Sequence, residues 1–501
     1  MLLIFPPLAK ACEPPAGIAL LAASLKAHGV SCRTLDANVE GQLWLLEQPL
    51  AASDTWSRRA FKGRARNLAA LRDLTTYQSP DRYRRAISDL SRVMANAAGE
   101  SGVAIGLADY QHASLSPLRS GDLFAAAQQP EQNPFFPYFS RRLPEFLDEV
   151  STVGFSLNYL SQALCTFAMI GFIRERYPTV KIVLGGGLVT SWMQRPDWHS
   201  PFGGLVDVMI PGPGEEPLLA LLGRVAVAGR HIAPDYSMLP LTDYFSPGLI
   251  LPYSAASGCY WNRCSFCPER AEGNLYRPVP TTVVLSDLRL LTEQHGPILI
   301  HLLDNAISPA LLHALAEKPP GTPWYGFARI DAGLSDPGFC QALKRSGCVM
   351  LKLGLESGDQ YVLDRMSKGI DLGLASQVLN NLREAGIAVY CYLLFGTPGE
   401  TAVEARRTLE FVARHHRTID FLNLALFNMP LYGDEVAEFG NQPFYEGDLS
   451  LYTSFRHPGG WERREVRRFL ESEFKRHPAI ASIVRNDPPQ FSSNHAPLFC
   501  R

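Results

Sequence analysis

Three cysteines lie close together in the segment SGCYWNRCSFCPER, which runs from residue 257 to residue 270. Four residues separate Cys259 from Cys264, and two separate Cys264 from Cys267. Zinc usually takes four ligands, often as two Cys-x2-Cys pairs, and this segment has one such pair. A [4Fe-4S] cluster normally takes four thiolates, so three would leave one iron open to a substrate or cofactor. The pattern favours an iron–sulfur cluster, with zinc and three unrelated buried thiols as the alternatives.

The composition limits the classes of protein to which this chain can belong. Its 501 residues are 46% hydrophobic, which suffices for several domains with large cores. The formal net charge of −2 argues against a general nucleic-acid-binding surface. No apolar run is long enough for a membrane span, and MLLIFPPLAK lacks the basic and long apolar regions of a signal peptide. We expect a cytoplasmic protein, with no nucleic acid partner, whose seven scattered cysteines are small buried hydrophobes.

Strand and helix patterns alternate over the first part of the chain. The strand patterns are MLLIFPPL, VSCRTLDA, STVGFS, KIVLGGG and the start of VDVMIPGPGEEPLLALLG, with helical patterns between them. This alternation predicts an α/β fold that begins with a doubly wound, Rossmann-like domain at 1–232. Arg-rich helices form an insertion at about 55–148, in which QQPEQNPFFPYFSRRLP is predicted as a loop. A Pro-rich linker is predicted at 233–249.

A second alternation covers 250–435 and predicts a partial or full parallel (β/α) barrel. Its six predicted strands are LPYSAAS, PILIHLL, PWYGFARI, VMLKLGLES, AVYCYLLFG and IDFLNLALF. Active sites of such barrels lie at the carboxyl ends of the strands, and Cys259 follows the first of them. Residues 436–501 are predicted as a small helical C-terminal region.

The segment GCYWNRCSFC resembles the signature of radical S-adenosylmethionine (SAM) enzymes, which is Cys-x3-Cys-x2-Cys after the first barrel strand. This chain has one extra residue between the first two cysteines, and Phe266 matches the aromatic residue before the last one. LLDNAIS, ARIDA, GLESGDQYVLDRMSKG and LLFGTPGET then follow in the order of the family's motifs, over about 250–430. The resemblance implies a [4Fe-4S] cluster on Cys259, Cys264 and Cys267 whose open iron binds SAM and promotes its cleavage to a 5′-deoxyadenosyl radical.

The resemblance also implies a set of SAM contacts. Glu356 and Ser357 would hydrogen-bond the ribose or the amino group, and Arg329 would pair with the carboxylate. The other implied cofactor contacts are Phe266, Asp304, Gly396, Pro398 and Gly399, of which the last three would let the backbone approach adenine. From the residues alone, a capped strand end, a structural ion pair and an ordinary Gly/Pro turn remain alternatives. No side chain is assigned a catalytic role.

The first domain resembles the cobalamin-binding domain of one large radical SAM subfamily, through PPAGIALLAASLKAHG. The candidate contacts at predicted strand ends, where open α/β sheets bind ligands, are Ser156, Gly185, Gly186, Gly187, Gly212, Gly214 and Glu215. The segment DANVEG places Asn38 where the motif Asp-x-His-x-x-Gly has its histidine, so we expect no histidine ligand to cobalt. A dinucleotide site, which lacks its G-x-G-x-x-G here, and a purely structural domain are the alternatives.

These resemblances imply a cobalamin-dependent radical SAM enzyme that methylates an unactivated carbon of a small molecule, lipid or peptide. It would receive electrons from a donor such as flavodoxin or ferredoxin. One alternative is a radical SAM enzyme without cobalamin that forms a ring or rearranges its substrate. The other is a non-catalytic corrinoid or iron–sulfur sensor. We expect the insertion and the C-terminal region to shape the substrate pocket.

Overall fold

The computed structural model describes residues 1–49, 54–99, 102–195, 198–227, 231–433, 435–439, 441–442, 447–488 and 496–500. The chain forms two compact units. The first comprises Met1–Leu249, Tyr445–Ser450 and Pro489–Asn494. The second comprises Ile250–Phe444, Leu451–Pro488 and His495–Arg501.

The first unit contains a five-stranded parallel sheet of order β2-β1-β5-β6-β7. The strands of the unit are β1 (Leu2–Phe5), β2 (Arg33–Asp36), β3 (Val103–Ile105), β4 (Tyr110–His112), β5 (Thr152–Ser156), β6 (Lys181–Gly185) and β7 (Val208–Ile210). Strands β3 and β4 lie outside this sheet and form an antiparallel hairpin. Strand β1, which has neighbours on both sides, is wholly buried, as expected of an apolar parallel strand. The chain leaves β1 toward β2 and returns on the other side to β5, so the sheet has a topological switch point there.

Eleven helices accompany this sheet within the described residues. They are α1 (Ala16–Ala27), α2 (Ala37–Glu47), α3 (Thr55–Leu71), α4 (Leu74–Tyr77), α5 (Pro80–Ala97), α6 (Ser120–Gln128), α7 (Phe136–Arg142), α8 (Pro144–Leu147), α9 (Leu160–Arg176), α10 (Gly187–Met193) and α11 (Glu215–Leu221). Helix α9 is apolar nearly all round and lies in the core. A Cβ at Gly171 of α9 would lie 1.8 Å from the Ala127 carbonyl oxygen, so this glycine permits the close approach of α6.

One prediction for this unit was wrong. The segment predicted as a loop at 128–144 contains a 3₁₀ turn and α7, because its prolines lie in first turns, where no N–H is needed. Phe135 and Phe139 of this segment are completely buried. The segment 233–249, for which a linker stays a prediction, is hydrogen-bonded within the first unit: the Asp235 and Phe245 amides donate to the carbonyls of Ala19 and Ala11.

The second unit contains a six-stranded parallel sheet in which β8, β11, β12, β13, β14 and β15 are neighbours in that order. The strands of the second unit as a whole are β8 (Ile250–Tyr253), β9 (Ala256–Ser257), β10 (Arg277–Pro278), β11 (Leu299–Leu302), β12 (Trp324–Ala328), β13 (Cys348–Glu356), β14 (Ala388–Phe395), β15 (Phe421–Leu426), β16 (Met429–Pro430), β17 (Asn441–Gln442) and β18 (Tyr452–Phe455). All six predicted strands of the parallel sheet are confirmed.

The helices of the second unit mostly follow the parallel strands in turn. They are α12 (Pro268–Ala271), α13 (Thr281–His295), α14 (Pro309–Glu317), α15 (Pro337–Arg345), α16 (Gln360–Arg365), α17 (Leu372–Ala385), α18 (Ala402–Arg414), α19 (Val436–Phe439), α20 (Arg463–Phe469) and α21 (Pro478–Asn486). The C-terminal region at 436–501, predicted as helical, contains α19, α20 and α21 and also strands β17 and β18, which form a small antiparallel sheet with β16. No helix in the described part of the chain is long and apolar enough to cross a bilayer.

Candidate functional site

The cysteine loop begins directly after β8 and β9. Gly258 has a φ of 71°, and a Cβ there would lie 2.5 Å from the Leu275 carbonyl oxygen, so the loop requires glycine at this point. The loop ends at α12, whose N-cap residue is Cys267. The Cys267 amide donates to the Cys264 carbonyl at 3.3 Å, which closes the turn between these two cysteines. The carboxyl end of the first strand of the parallel sheet therefore presents all three cysteines on one short loop.

The three loop cysteines are free and partly exposed, whereas most other cysteines of the chain are buried. Burial raises the pKa of the Cys264 thiol, and the positive charges of Lys368 and Arg329 oppose that rise. Burial also raises the pKa of the Cys267 thiol, against hydrogen bonds from the backbone of Arg270 and Glu269. Cations and N–H donors beside a thiol favour the thiolate that a metal requires.

The donor set of this loop fits an iron–sulfur cluster. The described residues contain no group of three or more His, Cys, Asp or Glu side chains placed to hold one metal ion. A [4Fe-4S] cluster does not require its ligands to converge on one metal ion, since each thiolate binds a different iron atom. The fit rests on three partly exposed thiols in one loop and on two cations, Lys368 and Arg329, that favour the thiolate form of Cys264.

The end of β13 brings a carboxylate and an ammonium group together. Lys368 Nζ donates to Glu356 Oε1 at 2.8 Å, and a Cβ at Gly354 would lie within 3 Å of both atoms. The φ of Glu356 is 67°, in the left-handed region that a glutamate rarely adopts. Residues held in such conformations often belong to functional sites. Lys368 also lies 5.4 Å from the centre of the Phe266 ring, which joins this pair to the cysteine loop.

Ser357 follows Glu356 but is turned into the protein interior. Its hydroxyl is fully buried, lies 3.1 Å from Thr408 Oγ1 and accepts from the Asp359 amide at 3.1 Å. These bonds match the capped strand end considered as the alternative. The cofactor contact implied for Ser357 stays a prediction.

Arg329 and Asp304 are buried beside the cysteine loop, and each has a backbone partner. Arg329 donates to the Lys368 carbonyl at 2.6 Å, so it holds the turn that carries Lys368. Asp304 Oδ2 accepts from the Ala255 amide at 3.1 Å, which connects the end of β11 to the segment before the loop. Burial raises the pKa of Asp304 to about 6, although backbone hydrogen bonds of Ala255, Asp304 and Ala256 oppose the rise.

The loop after β14 contains a second buried carboxyl group. Gly396 has a φ of 82°, Pro398 is buried and Gly399 packs against Arg365. Glu400 is fully buried and accepts from the Gly396 amide and from the Trp461 indole, the latter at 3.1 Å. Burial raises the pKa of Glu400 to about 8, and its Oε1 has no hydrogen-bond partner within the described residues.

The C-terminal segment of the second unit contacts this loop. His457 Nε2 lies 2.9 Å from the Thr397 carbonyl, and Val466 lies against Gly396. His457 Nδ1 accepts from the Gly459 and Trp461 amides, so Nε2 carries the proton and donates to Thr397. These contacts fix the loop on which three cofactor contacts were predicted.

The carboxyl edge of the first sheet gathers the predicted glycines. The registers Ser156↔Gly185 and Gly185↔Ile210 align the ends of β5, β6 and β7. Gly186 has a φ of 110°, and a Cβ there would lie 2.4 Å from the Leu157 carbonyl oxygen. This edge lies beside the topological switch point, where open α/β sheets bind ligands.

Hydrogen bonds fix the loops of this edge. Asn158 accepts from the Gly187 amide at 2.9 Å and donates to the Ser156 hydroxyl at 3.0 Å. The Gly212 amide donates to Thr190 Oγ1 at 2.8 Å, while Gly214 and Glu215 lie at the start of α11.

Asn38, which replaces the histidine of the cobalt-ligating motif, is buried in the first unit. Its side-chain oxygen accepts from the Ala9 amide at 2.8 Å and from Gln42 at 2.9 Å. Asn38 therefore fixes the segment after β1.

Trp261, Lys368 and Glu400 were not predicted as site residues. All three lie inside quoted motif segments, so the motifs located them without identifying their contacts. The structure brings Cys264, Phe266, Arg329, Glu356 and Lys368 together, and places the 396–400 loop at the end of a neighbouring strand of the same sheet.

Part of the second unit is similar to a known family of enzymes. Residues 253–412 match the family model of the Radical SAM superfamily. The chain is 26% identical over 290 residues to the hopanoid C-3 methylase of Methylococcus capsulatus, covering 50% of this chain and 55% of the methylase. It is 23% identical over 349 residues to the anaerobic magnesium-protoporphyrin IX monomethyl ester cyclase of Rubrivivax gelatinosus, covering 60% of this chain and 61% of the cyclase. The chain thus spans less than two thirds of these relatives.

The fold is similar to that of the radical SAM methyltransferase TsrM from Kitasatospora setae, solved with cobalamin and a [4Fe-4S] cluster bound. The TM-score is 0.52 at 15% identity, and the match covers 87% of this chain and 77% of TsrM. At that identity the likeness concerns the α/β fold with its parallel sheets. Together, the matched family model and the cysteine motif show that residues 253–412 form a radical SAM domain.

Proposed function

We propose that this protein is a cobalamin-dependent radical SAM enzyme that methylates an unactivated carbon. The observation that carries the proposal is the loop of Cys259, Cys264 and Cys267 within the radical SAM domain, next to Lys368 and Arg329. The three thiolates would hold a [4Fe-4S] cluster, and the two cations would offset part of their negative charge. When bound, the cluster and SAM supply the radical that abstracts a hydrogen atom from the substrate.

The side chains around the cysteine loop have separate tasks in this proposal. Arg329 is an ordered cation suited to the SAM carboxylate. Glu356 is an acceptor suited to an amino group or a ribose hydroxyl, since Lys368 occupies only part of its lone-pair capacity. Gly396, Pro398 and Gly399 would leave the backbone accessible to adenine, and Phe266 would line the same pocket. Asp304 would act indirectly, because it accepts a hydrogen bond from the Ala255 amide and so holds the backbone that precedes the cysteine loop.

We propose further that the first unit is a Rossmann-like cobalamin domain and that the second is a partial barrel. Support comes from the glycine-rich edge at the switch point, from the fold shared with a cobalamin-bound enzyme and from a methylase among the relatives. With Asn38 buried, the lower face of cobalt would have no histidine ligand from this segment. A flavodoxin or ferredoxin in the cytoplasm would supply electrons.

Ring formation is the second candidate, because a cyclase is the relative that covers 60% of this chain. It would use the same cysteine loop with a different fate for the substrate radical. A non-catalytic corrinoid or iron–sulfur sensor is the third candidate, and it would not cleave SAM.

The test is anaerobic purification followed by measurement of iron, sulfide and corrinoid per chain, and of 5′-deoxyadenosine release under reducing conditions. We expect a [4Fe-4S] absorbance near ~400 nm that disappears when Cys259, Cys264 and Cys267 are replaced together by Ala. The half-buried Cys32→Ala is the matched control and should keep the absorbance. Iron without corrinoid would exclude the cobalamin proposal, and cofactor binding without 5′-deoxyadenosine would indicate the sensor.

A further inference from the structure

The cysteine loop has four residues between Cys259 and Cys264, one more than the family signature. Within these four residues, Asn262 has a φ of 43°. Asparagine tolerates the left-handed region better than most residues. The loop therefore turns sharply at Asn262, directly after Trp261.

Trp261 packs on the turn that follows α16. Its indole N–H donates to the Ser367 carbonyl at 3.4 Å. Gly369 lies directly against the ring, since a Cβ there would be 2.3 Å from Trp261 Cζ2. The φ of Gly369 is 64°, so both the backbone conformation and the close approach require glycine.

The same indole ring covers a buried cation. The Arg329 guanidinium carbon lies 3.9 Å from the ring centre, and that of Arg263 lies 4.9 Å from it. Arg329 is only 8% exposed and donates to the Lys368 carbonyl. A guanidinium removed from water gains more from an aromatic face than an exposed one does. Trp261 therefore fixes Arg329 as well as the turn.

The turn at 366–369 thus meets the cysteine loop at two places. Trp261 donates to Ser367, and the Ser265 amide donates to the Met366 carbonyl at 3.0 Å. One contact lies before Cys264 and the other directly after it. Lys368, between these anchors and Gly369, contacts Glu356 and Phe266.

We infer that Trp261 is a positioning residue that holds the cysteine loop, with its extra residue, in the conformation that accepts the cluster. The additional residue supplies an anchor onto the 366–369 turn and a cover for Arg329. This inference rests on the proposed function for the cluster itself, but the anchoring is a property of the protein without iron.

The first measurement uses the full-length apoprotein and hydrogen–deuterium exchange. Trp261→Ala should accelerate exchange about tenfold in peptides covering 258–267 and also in those covering 366–369, because the anchor links the two segments. Trp261→Phe, which keeps a ring but loses the N–H, should give a smaller acceleration. The exposed Trp56→Ala is the control for loss of a tryptophan and should leave both segments unchanged.

A second variant tests the contact from the opposite side. Gly369→Ala should displace the indole and accelerate exchange in 258–267. Gly296→Ala is its matched control, because Gly296 also has a left-handed φ, of 54°, but nothing within 4 Å of its Cβ position. Two results would overturn the inference. One is an equal acceleration of exchange in 258–267 for Gly369→Ala and Gly296→Ala. The other is an unchanged exchange rate in 258–267 for Trp261→Ala.

Iron loading separates this inference from the proposed function. After anaerobic reconstitution, Trp261→Ala should hold about half or less of the wild-type iron per chain, or show a shifted cluster EPR spectrum, because a loosened loop binds the cluster less well. Wild-type iron content with an unshifted spectrum in Trp261→Ala would overturn the positioning role. If the wild-type protein itself binds no iron, the proposed function fails, and the exchange measurements still decide the anchoring.

Discussion

Lys368 and Glu356 form an ion pair of 2.8 Å in which the lysine side chain is 8% and the glutamate side chain 12% exposed. They are twelve positions apart, on either side of α16. Because both charged groups are largely removed from water, each is stabilised mainly by its contact with the other. The absence of a side chain at Gly354 provides the space for it.

Removal of one partner from this pair should destabilise the second unit. We expect Lys368→Ala to lower the free energy of unfolding of the apoprotein by about 3 kcal/mol, because it leaves the Glu356 carboxylate buried without its cation. The double variant Lys368→Ala/Glu356→Gln should recover part of this loss, since no charge is then stranded. Urea unfolding of the three proteins measures both values. A double variant that is no more stable than Lys368→Ala would show that the pair is not the cause.

Much of this geometry was predictable from the sequence, because it depends on local patterns. The six parallel strands of the second sheet appear as apolar runs between turn residues, since both faces of such strands are covered. The cysteine spacing and the order of the later motifs predicted the radical SAM domain. Elements such as β16 and β17 were missed, because two residues are too few to show a period.

The contacts of the site were not predictable in the same way. Trp261 meets Ser367 across 106 positions of sequence, and Glu400 meets Trp461 across 61. No local pattern specifies which distant segment a side chain will contact. Ser357 shows the same limit, since its place in a motif did not reveal that its hydroxyl is buried against Thr408.

Glu400 should make the stability of the protein depend on pH. Burial raises its pKa from 4.5 to about 8, so between these values the folded state keeps a proton that the unfolded state has lost. Stability contributed by the protonated carboxyl group is therefore fully present below about pH 4.5 and is lost as pH rises toward 8. Each pKa unit corresponds to about 1.4 kcal/mol, so the loss amounts to a few kcal/mol.

Glu400→Gln tests this dependence, because the amide keeps an oxygen for the Gly396 and Trp461 donors but cannot ionise. Compared with wild type, the variant should gain stability progressively from pH 5 to pH 8, as measured by urea unfolding at several pH values. Glu317→Gln, at an exposed position at the end of α14, should leave the pH profile unchanged. Parallel profiles for wild type and Glu400→Gln would show that this carboxyl group does not titrate in that range.

Gly186 should be essential to the carboxyl edge of the first sheet. Its φ of 110° is strained for any residue with a side chain, and its Cβ would approach the Leu157 carbonyl oxygen to 2.4 Å. We expect Gly186→Ala to cost about 2 kcal/mol or more of stability. Because the edge that it distorts is the proposed corrinoid site, cobalamin should also bind at least about tenfold more weakly.

Gly17→Ala is the matched control: Gly17 lies in α1 with nothing within 4 Å of its Cβ position, so alanine should stabilise by about 0.5–1 kcal/mol. Thermal unfolding and corrinoid titration of both variants measure these effects, and undiminished cobalamin affinity in a destabilised Gly186→Ala would place the corrinoid elsewhere.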